Sequence, residues 1–396
     1  MTALPRRPAG IAWRRLPLLL PGLLALVAGV AAGLWRLGAW PGGSGVPALA
    51  HAAAGHGALM VCGFFGLVIA LERAAALAVD GQRQAWAHAW AWAAPLAAGA
   101  GTALLLAGQP QAAAWAWLGS AVLLLAATLL IWRRQPEPFV GVLALGAAAA
   151  VGSHALVLAG AGLHVVLPWW LAFLVFTIAG ERLELSRLAP RAAGAGTTFA
   201  AITGLLVLAL GATLLPGPWV VWAGHGFGAG LLALAVWLLR HDVARRTVRQ
   251  RGLVRFIACS LLAGHAWLGG GGALMAVHGL HPGTPGWDAA LHAVLLGFVF
   301  SMVFGHAPIV LPAVLRVQLP YHPRFYVPLL LLHLSVAGRV AGSLAGLPGL
   351  RQAAAWGSAM ALVVFIATML AAARSRRVPA SGRFLEPVQG QPRRAP

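Results

Sequence analysis

Along the chain, apolar stretches long enough to cross a bilayer, about 20 residues each, alternate with short polar breaks. They fall near residues 16–38, 47–77, 85–107, 112–132, 139–161, 165–187, 198–216, 218–240, 254–278, 287–314, 325–346 and 352–374. This pattern predicts an all-α fold: a polytopic transmembrane helical bundle of about twelve membrane-spanning helices. A single domain over 1–374 accounts for all of them, divisible into six-helix halves near 1–195 and 196–374, and the polar, proline-bearing tail over 375–396 reads as disordered. One short match supports the halves. Ala54-Gly55-His56-Gly57 in the second span is repeated as Ala223-Gly224-His225-Gly226 in the eighth, as a parallel duplication would place it.

Charge gives the spans a direction. All but three of the 28 basic residues, every one of them arginine, fall in alternate breaks: Arg6, Arg7, Arg14 and Arg15 before the first span, Arg73 and Arg83 after the second, and Arg133 and Arg134 after the fourth. Arg182, Arg187 and Arg191 follow the sixth, the series from Arg240 to Arg255 the eighth, Arg316 and Arg324 the tenth, and Arg374 to Arg394 the last. The intervening breaks hold Arg36 and Arg351 alone, and Arg339 sits within a span. Positive charge is retained on the cytoplasmic side of membranes, so both termini are expected there, in a bacterial-type cytoplasmic (inner) membrane. Removing or adding one span would scramble the alternation.

Composition narrows the function classes. With 60% hydrophobic and 9% charged residues, against about 25% charged in soluble domains, the chain cannot cover a water-facing surface. The net charge of +20 belongs to loops beside anionic lipid headgroups, so membrane lipids rather than nucleic acid are the expected partners. Cys62 and Cys259 lie in apolar segments, which excludes a disulfide framework. The arginines before the first span precede a long apolar run without a small-residue cleavage site, which reads as an uncleaved helix. Trp86, Trp90, Trp92, Trp169, Trp170, Trp219 and Trp222 stand near span ends, where indole rings anchor helices at the interface.

The histidines carry the candidate chemistry, because an ionisable side chain at membrane depth is costly and marks function. With a rise of about 1.5 Å per residue, His56, His154, His225 and His292 fall roughly 8–14 Å below the outer surface. His265, His306 and His333 form a second level roughly 12–17 Å from the inner one. The tenth span links the levels, since His292 and His306 are about four turns apart on one face. Neutral imidazole suits haem iron and copper, and few thiolates or carboxylates compete at these depths. The seven histidines are therefore metal-ligand candidates, with Arg339 placed to pair with a haem propionate. No CxxCH attachment motif is present, so haem would be of the b type and held non-covalently. Glu181, Arg182, Glu184 and Arg187 are expected to pair along the rim of the sixth span, and Pro308 and Pro312 to bend or end the tenth. Glu72 and Glu181 are candidates for proton uptake.

Three functions fit these residues: a haem- and copper-binding redox protein, a transmembrane electron-transfer cytochrome with two bis-histidine haems, or a multi-pass transporter of a proton, metal or small solute. One resemblance favours the first. The run His51-Ala-Ala-Ala-Gly-His56-Gly-Ala-Leu-Met-Val-Cys-Gly-Phe-Phe-Gly66, with Leu291-His292-Ala-Val-Leu-Leu-Gly297 and Leu332-His333-Leu-Ser-Val-Ala-Gly-Arg339-Val340, resembles the NnrS family of haem- and copper-containing membrane proteins. That resemblance implies nitric oxide or related redox chemistry and a small gaseous ligand; the redox partner is left open. The topology is directly testable. Reporter fusions within 108–110, 160–162, 215–218, 281–283 and 346–348 should report an extracytoplasmic site, and fusions within 133–137 and 245–251 a cytoplasmic one; any inverted pair would discard the assignment.

Overall fold

The computed structural model describes residues 16–40, 46–80, 85–187, 193–315 and 318–374. The arginines before residue 16, Arg83, Arg191, Arg316 and the tail over 375–396 lie outside the described residues, as does the side chain of Trp86. Twelve helices are long and apolar enough to cross a membrane: α1 (Pro17–Arg36), α2 (His56–Leu77), α3 (Ala89–Leu106), α4 (Pro110–Arg134), α5 (Pro138–Leu158), α6 (Leu163–Ser186), α7 (Ala195–Ala212), α8 (Trp219–His241), α9 (Gly252–His278), α10 (Pro285–Pro312), α11 (Pro323–Leu344) and α12 (Pro348–Arg374). No strand occurs among the described residues. The chain is thus an all-α multi-pass bundle, as its hydropathy predicts.

Three spans depart from the sequence reading. The apolar stretch over 47–77 is two helices, Pro47–Ala54 and then α2, parted at Gly55 immediately before His56. A Cβ on Gly55 would run into the Leu105 side chain of α3, so glycine lets the break nest against its neighbour. The third span opens as a 3-10 helix, Ala85–Trp92, before the α-helix Ala93–Leu106. Pro308 and Pro312 do not end the tenth span; the helix Ser301–Leu315 runs through both.

Close pairs hold the bundle together. The most extensive contacts are between α5 and α6, α8 and α9, and α11 and α12, and glycine sits at each crossing. A Cβ on Gly146 of α5 would lie 3.0 Å from the Phe173 carbonyl oxygen, and one on Gly180 of α6 would lie 3.0 Å from that of Phe139. On α8 and α9, Gly228 abuts the backbone of Met275 and Ala276, while a Cβ on Gly272 would be 2.6 Å from Leu232 N. Small residues spaced four apart, Gly224 and Gly228 against Gly272 and Ala276, let the two backbones meet. In lipid, where association gains little from the hydrophobic effect, such contact is the main source of helix pairing.

Burial identifies the centre. In α6, 72% of the apolar window is buried and in α10, 61%, against 33% for the peripheral α1 and α12. Both α6 and α10 touch α2 or its surroundings, and α12 closes the bundle onto α1, with Gln352 Nε2 donating to the Leu37 carbonyl at 3.2 Å and Trp356 Nε1 to that of Ala39 at 3.1 Å. Outward faces are apolar and bare, as at Leu208 and Val277. Trp219 and Trp222 are exposed as interfacial rings should be, but Trp170 is buried and packs beside Gly57 of α2. It anchors the interior, not the interface, because α6 is central. Gly272→Ala should lower thermal stability in detergent by about 1–3 kcal/mol through overpacking, whereas Gly270→Ala, with open space around it, should cost nothing; equal melting of the two variants would remove the close-packing account.

Candidate functional site

Two of the predicted ligands come together in the arginine-poor half. His56 opens α2 directly after the Gly55 break, and its Nδ1 lies 2.7 Å from the Gly29 carbonyl oxygen of α1. His292 on α10 places its Nδ1 2.7 Å from the Asp288 carbonyl oxygen one turn earlier. A carbonyl only accepts, so each Nδ1 carries the proton and each Nε2 is left with its lone pair. The two imidazoles lie within electrostatic reach of one another and of Arg339 and Asp288.

Arg339 has a partner that hydropathy and spacing did not reveal. Its Nε donates to Asp288 Oδ2 at 2.9 Å and its Nη2 to Oδ1 at 2.7 Å, while Ser343 Oγ donates to Oδ2 at 2.5 Å. The fork assigned to a haem propionate is thus turned toward a carboxylate of the chain itself. Asp288 Oδ1 is also 3.3 Å from His292 Nδ1. Arg339 is buried and does not snorkel to the interface. A signal for Asp288 existed: it precedes His292 by four residues, one helical turn, in a chain with only eight acidic residues.

The arginine-rich half repeats the arrangement with other helices. Arg182 of α6 donates Nε to Asp242 Oδ2 at 2.7 Å and Nη2 to Oδ1 at 2.8 Å, and Ala244 N donates to Oδ1 at 2.8 Å. His265 Nε2 lies 3.7 Å from Asp242 Oδ2, and His306 Nε2 accepts from Arg182 Nη1 at 3.5 Å. Arg182 was expected to pair along its own helix with Glu181 or Glu184; it is instead buried and reaches across to the end of α8. Only Arg187 and Glu184 pair at the rim, at 3.5 Å. Burial opposes ionisation of Asp242, but the Arg182 guanidinium outweighs it and holds the carboxyl below its usual range.

Each half therefore contains one Asp–Arg fork with two histidines, and α10 supplies a histidine to both. The remaining candidates stand apart. His154 is buried in α5 with its ring 6.3 Å from Trp117. His225 donates Nδ1 to the Ala276 carbonyl at 2.8 Å, near the arginine-poor mouth. His333 accepts from Trp267 Nε1 at 3.0 Å on Nδ1, so its proton is on Nε2, the reverse tautomer. The outer level of four is thus a pair and two separate residues, and the inner level is His265 and His306 without His333. Depth along a helix gave the level but not the facing. Among the described residues, no group of three or more His, Cys, Asp and Glu side chains is spaced to hold a metal ion.

Between the two halves lies a feature that periodicity cannot reveal. Soon after His56, α2 runs as a π-helix over Leu59–Gly66, and immediately after His292, α10 does the same over Ala293–Phe300. The two wide segments interlock: Phe64 stacks on Phe300 with centroids 5.9 Å apart, and Phe65 meets the same ring edge-on at 5.1 Å. Wide turns inside transmembrane α-helices recur at functional sites.

A family model described as a domain of unknown function (DUF8744) matches residues 15–374. The chain belongs to this family. The DUF8744 match runs through all twelve spans and so takes in both Asp–Arg forks and both π-helical segments. No curated protein and no solved structure matches the chain.

Removing one member of a buried charge pair strands the other, which costs about 3–5 kcal/mol. Asp242→Ala and Asp288→Ala should each lower stability by that order in detergent melts, and Arg182→Met with Asp242→Leu together should recover most of the loss. Because the Asp242 carboxyl is held below its ordinary value, its contribution is complete at neutral pH. It is lost only as the pH falls below about 4. Melting that is unchanged in both single variants would contradict the pairing.

Proposed function

We propose that this multi-pass membrane protein binds haem of the b type in its arginine-poor half, through His56 and His292, and acts in nitric oxide or related redox chemistry. One observation carries the reading: two imidazoles from different helices, within electrostatic reach of each other, each with Nδ1 tied to a backbone carbonyl at 2.7 Å and Nε2 free. Protein ligands to metals are oriented this way, the outer hydrogen bond fixing tautomer and ring plane. The donor set suits the group, since neutral imidazole is a ligand that haem iron takes and each of the two rings offers one free ring nitrogen. Copper is the second metal that imidazole favours.

Bound there, haem would supply one-electron exchange and the capacity to take a small gas. The chain's own residues do the rest. Gly29 and Asp288 hold the two rings in register. Gly33, whose Cβ would lie 3.0 Å from His56 Cε1, leaves room for that ring against α1. The Asp288–Arg339 fork brings its own counter-charge, each carboxylate oxygen receiving a guanidinium N–H. The nitric oxide part of the reading rests on the resemblance of the His51–Gly66, Leu291–Gly297 and Leu332–Val340 runs to the NnrS family.

The two-haem cytochrome gains less support, because His306 Nε2 faces Arg182 and His333 Nδ1 is taken by Trp267. Transport has one observation in its favour: matched Asp–Arg forks in the two halves of the bundle, each beside a histidine of α10, with phenylalanine rings of α2 and α10 between them.

A pyridine-haemochrome assay with metal analysis on protein purified from a haem-sufficient host decides between these. Haem b near stoichiometry is expected, falling by about tenfold or more in His56→Ala and in His292→Ala, while His154→Ala keeps it. Absence of both haem and copper from the folded wild-type protein would overturn the reading and leave transport.

A further inference from the structure

The arginine-poor end of the molecule has an unusual ligand inventory. Among the described acidic side chains, Glu72, Glu137, Glu181, Glu184, Asp242 and Asp288, Asp288 alone belongs to that half, and it is occupied by Arg339 and Ser343. Histidine is abundant there instead: His51, His164, His225, His278 and His281 stand at or near the mouths of the helices. A cation reaching this face meets imidazole and almost no free carboxylate. That chemistry selects a borderline transition-metal ion such as Zn2+ or Cu2+ over Ca2+ or Mg2+.

Two of these histidines are built to face one point. His225 is fixed by its Nδ1 hydrogen bond to the Ala276 carbonyl, 2.8 Å long, which leaves the Nε2 lone pair free. At the end of α9 the chain turns at Gly279 with φ +65°, and a Cβ placed on that residue would lie 3.1 Å from His225 Nε2 and also 3.1 Å from His281 Nε2. Both nitrogens thus border the same bare glycine, no further apart than those two distances combined. A side chain at residue 279 would fill the space between them. His281 is exposed on a turn braced by Thr284 Oγ1, which donates to the His281 carbonyl at 2.8 Å, so its ring can swing toward His225 while the backbone stays in place. Beside it opens a cavity of about 130 Å³ lined by His164, Thr213, Gly224 and His281 among others.

We propose that His225 and His281 form a second metal site, separate from the His56–His292 centre, which takes up Zn2+ or Cu2+ from the arginine-poor side and completes its coordination with water in the adjoining cavity. Tetrahedral zinc holds imidazole nitrogens at about 2.0–2.1 Å, so the exposed His281 ring would turn toward His225 across the bare Gly279 to share the ion.

The test is titration of the full-length protein in lipid nanodiscs with ZnCl2 or CuCl2, read by competition with a chromophoric chelator. One ion per chain is expected, undisturbed by millimolar Ca2+ or Mg2+. Affinity should drop by about tenfold or more in His225→Gln and in His281→Gln, and remain unchanged in His322→Gln on the opposite face. His281→Gln alters an exposed turn and keeps the test open even where His225→Gln folds poorly. Wild-type metal affinity in the His225→Gln/His281→Gln double variant would overturn the proposal, as would displacement by Ca2+. Haem content, read on the same samples, should be unchanged by these substitutions, so failure here and failure of the His56–His292 reading give different results.

Discussion

A charge inside a helical bundle must bring its counter-charge with it. Moving an ion into a low-dielectric interior costs several kcal/mol even after relaxation, and the described core admits Arg182 with Asp242 and Arg339 with Asp288 as two-toothed forks, each carboxylate oxygen receiving a guanidinium N–H. The consequences reach well beyond two ion pairs. The Arg182 fork ties α6 to the end of α8, and the Arg339 fork ties α11 to the start of α10. Histidines packed beside these forks sit next to a charge that is already cancelled, which favours their neutral form and hence their use as acceptors or ligands.

That neutrality makes the hydrogen-bonding directions informative. Where Nδ1 meets a carbonyl, as in His56, His225, His292 and His306, the proton must be on Nδ1 and the other nitrogen is a lone pair. Where Nδ1 meets the indole N–H of Trp267, as in His333, the proton is on the far side. Five histidines are thereby divided into four with a lone pair on Nε2 and one with its proton there. Of the four, His306 spends its lone pair on Arg182, whereas His292 stands beside the Asp288–Arg339 fork and His56 is held by the Gly29 carbonyl. The ligand assignment rests on this difference between partners, since burial alone treats these rings alike.

Hydropathy was enough to count twelve spans and to bound most of them to within a few residues, the second excepted, because it is set by the membrane and not by any particular neighbour. The position of each histidine along its helix was legible for the same reason: rise along a helix needs only a starting point. Facing was not. Whether Arg339 meets a propionate, a headgroup or Asp288 depends on how α11 is rotated against α10, and that rotation is fixed by packing between residues 51 positions apart. Arg182 was misread in a similar way, since its near neighbours Glu181 and Glu184 satisfy a helical pairing rule while Asp242 lies across the bundle. The break at Gly55 went unseen because a glycine in an apolar run leaves hydropathy intact; its effect comes from Leu105, which only the fold brings close.

The π-helical segments tie these points together. His56 and Phe64 are eight residues apart, as are His292 and Phe300, and in an α-helix of 3.6 residues per turn eight residues make about 2.2 turns. A phenylalanine so placed would point well away from its histidine's face. Bonding five residues back, not four, makes each turn hold more residues, so the same stretch winds less and comes nearer to two whole turns. The histidine and the ring below it are thereby brought toward one side of the helix. Because α2 and α10 both do this, each sends a phenylalanine from its wide segment into the same contact, the Phe64–Phe300 stack, with its histidine placed ahead of that segment.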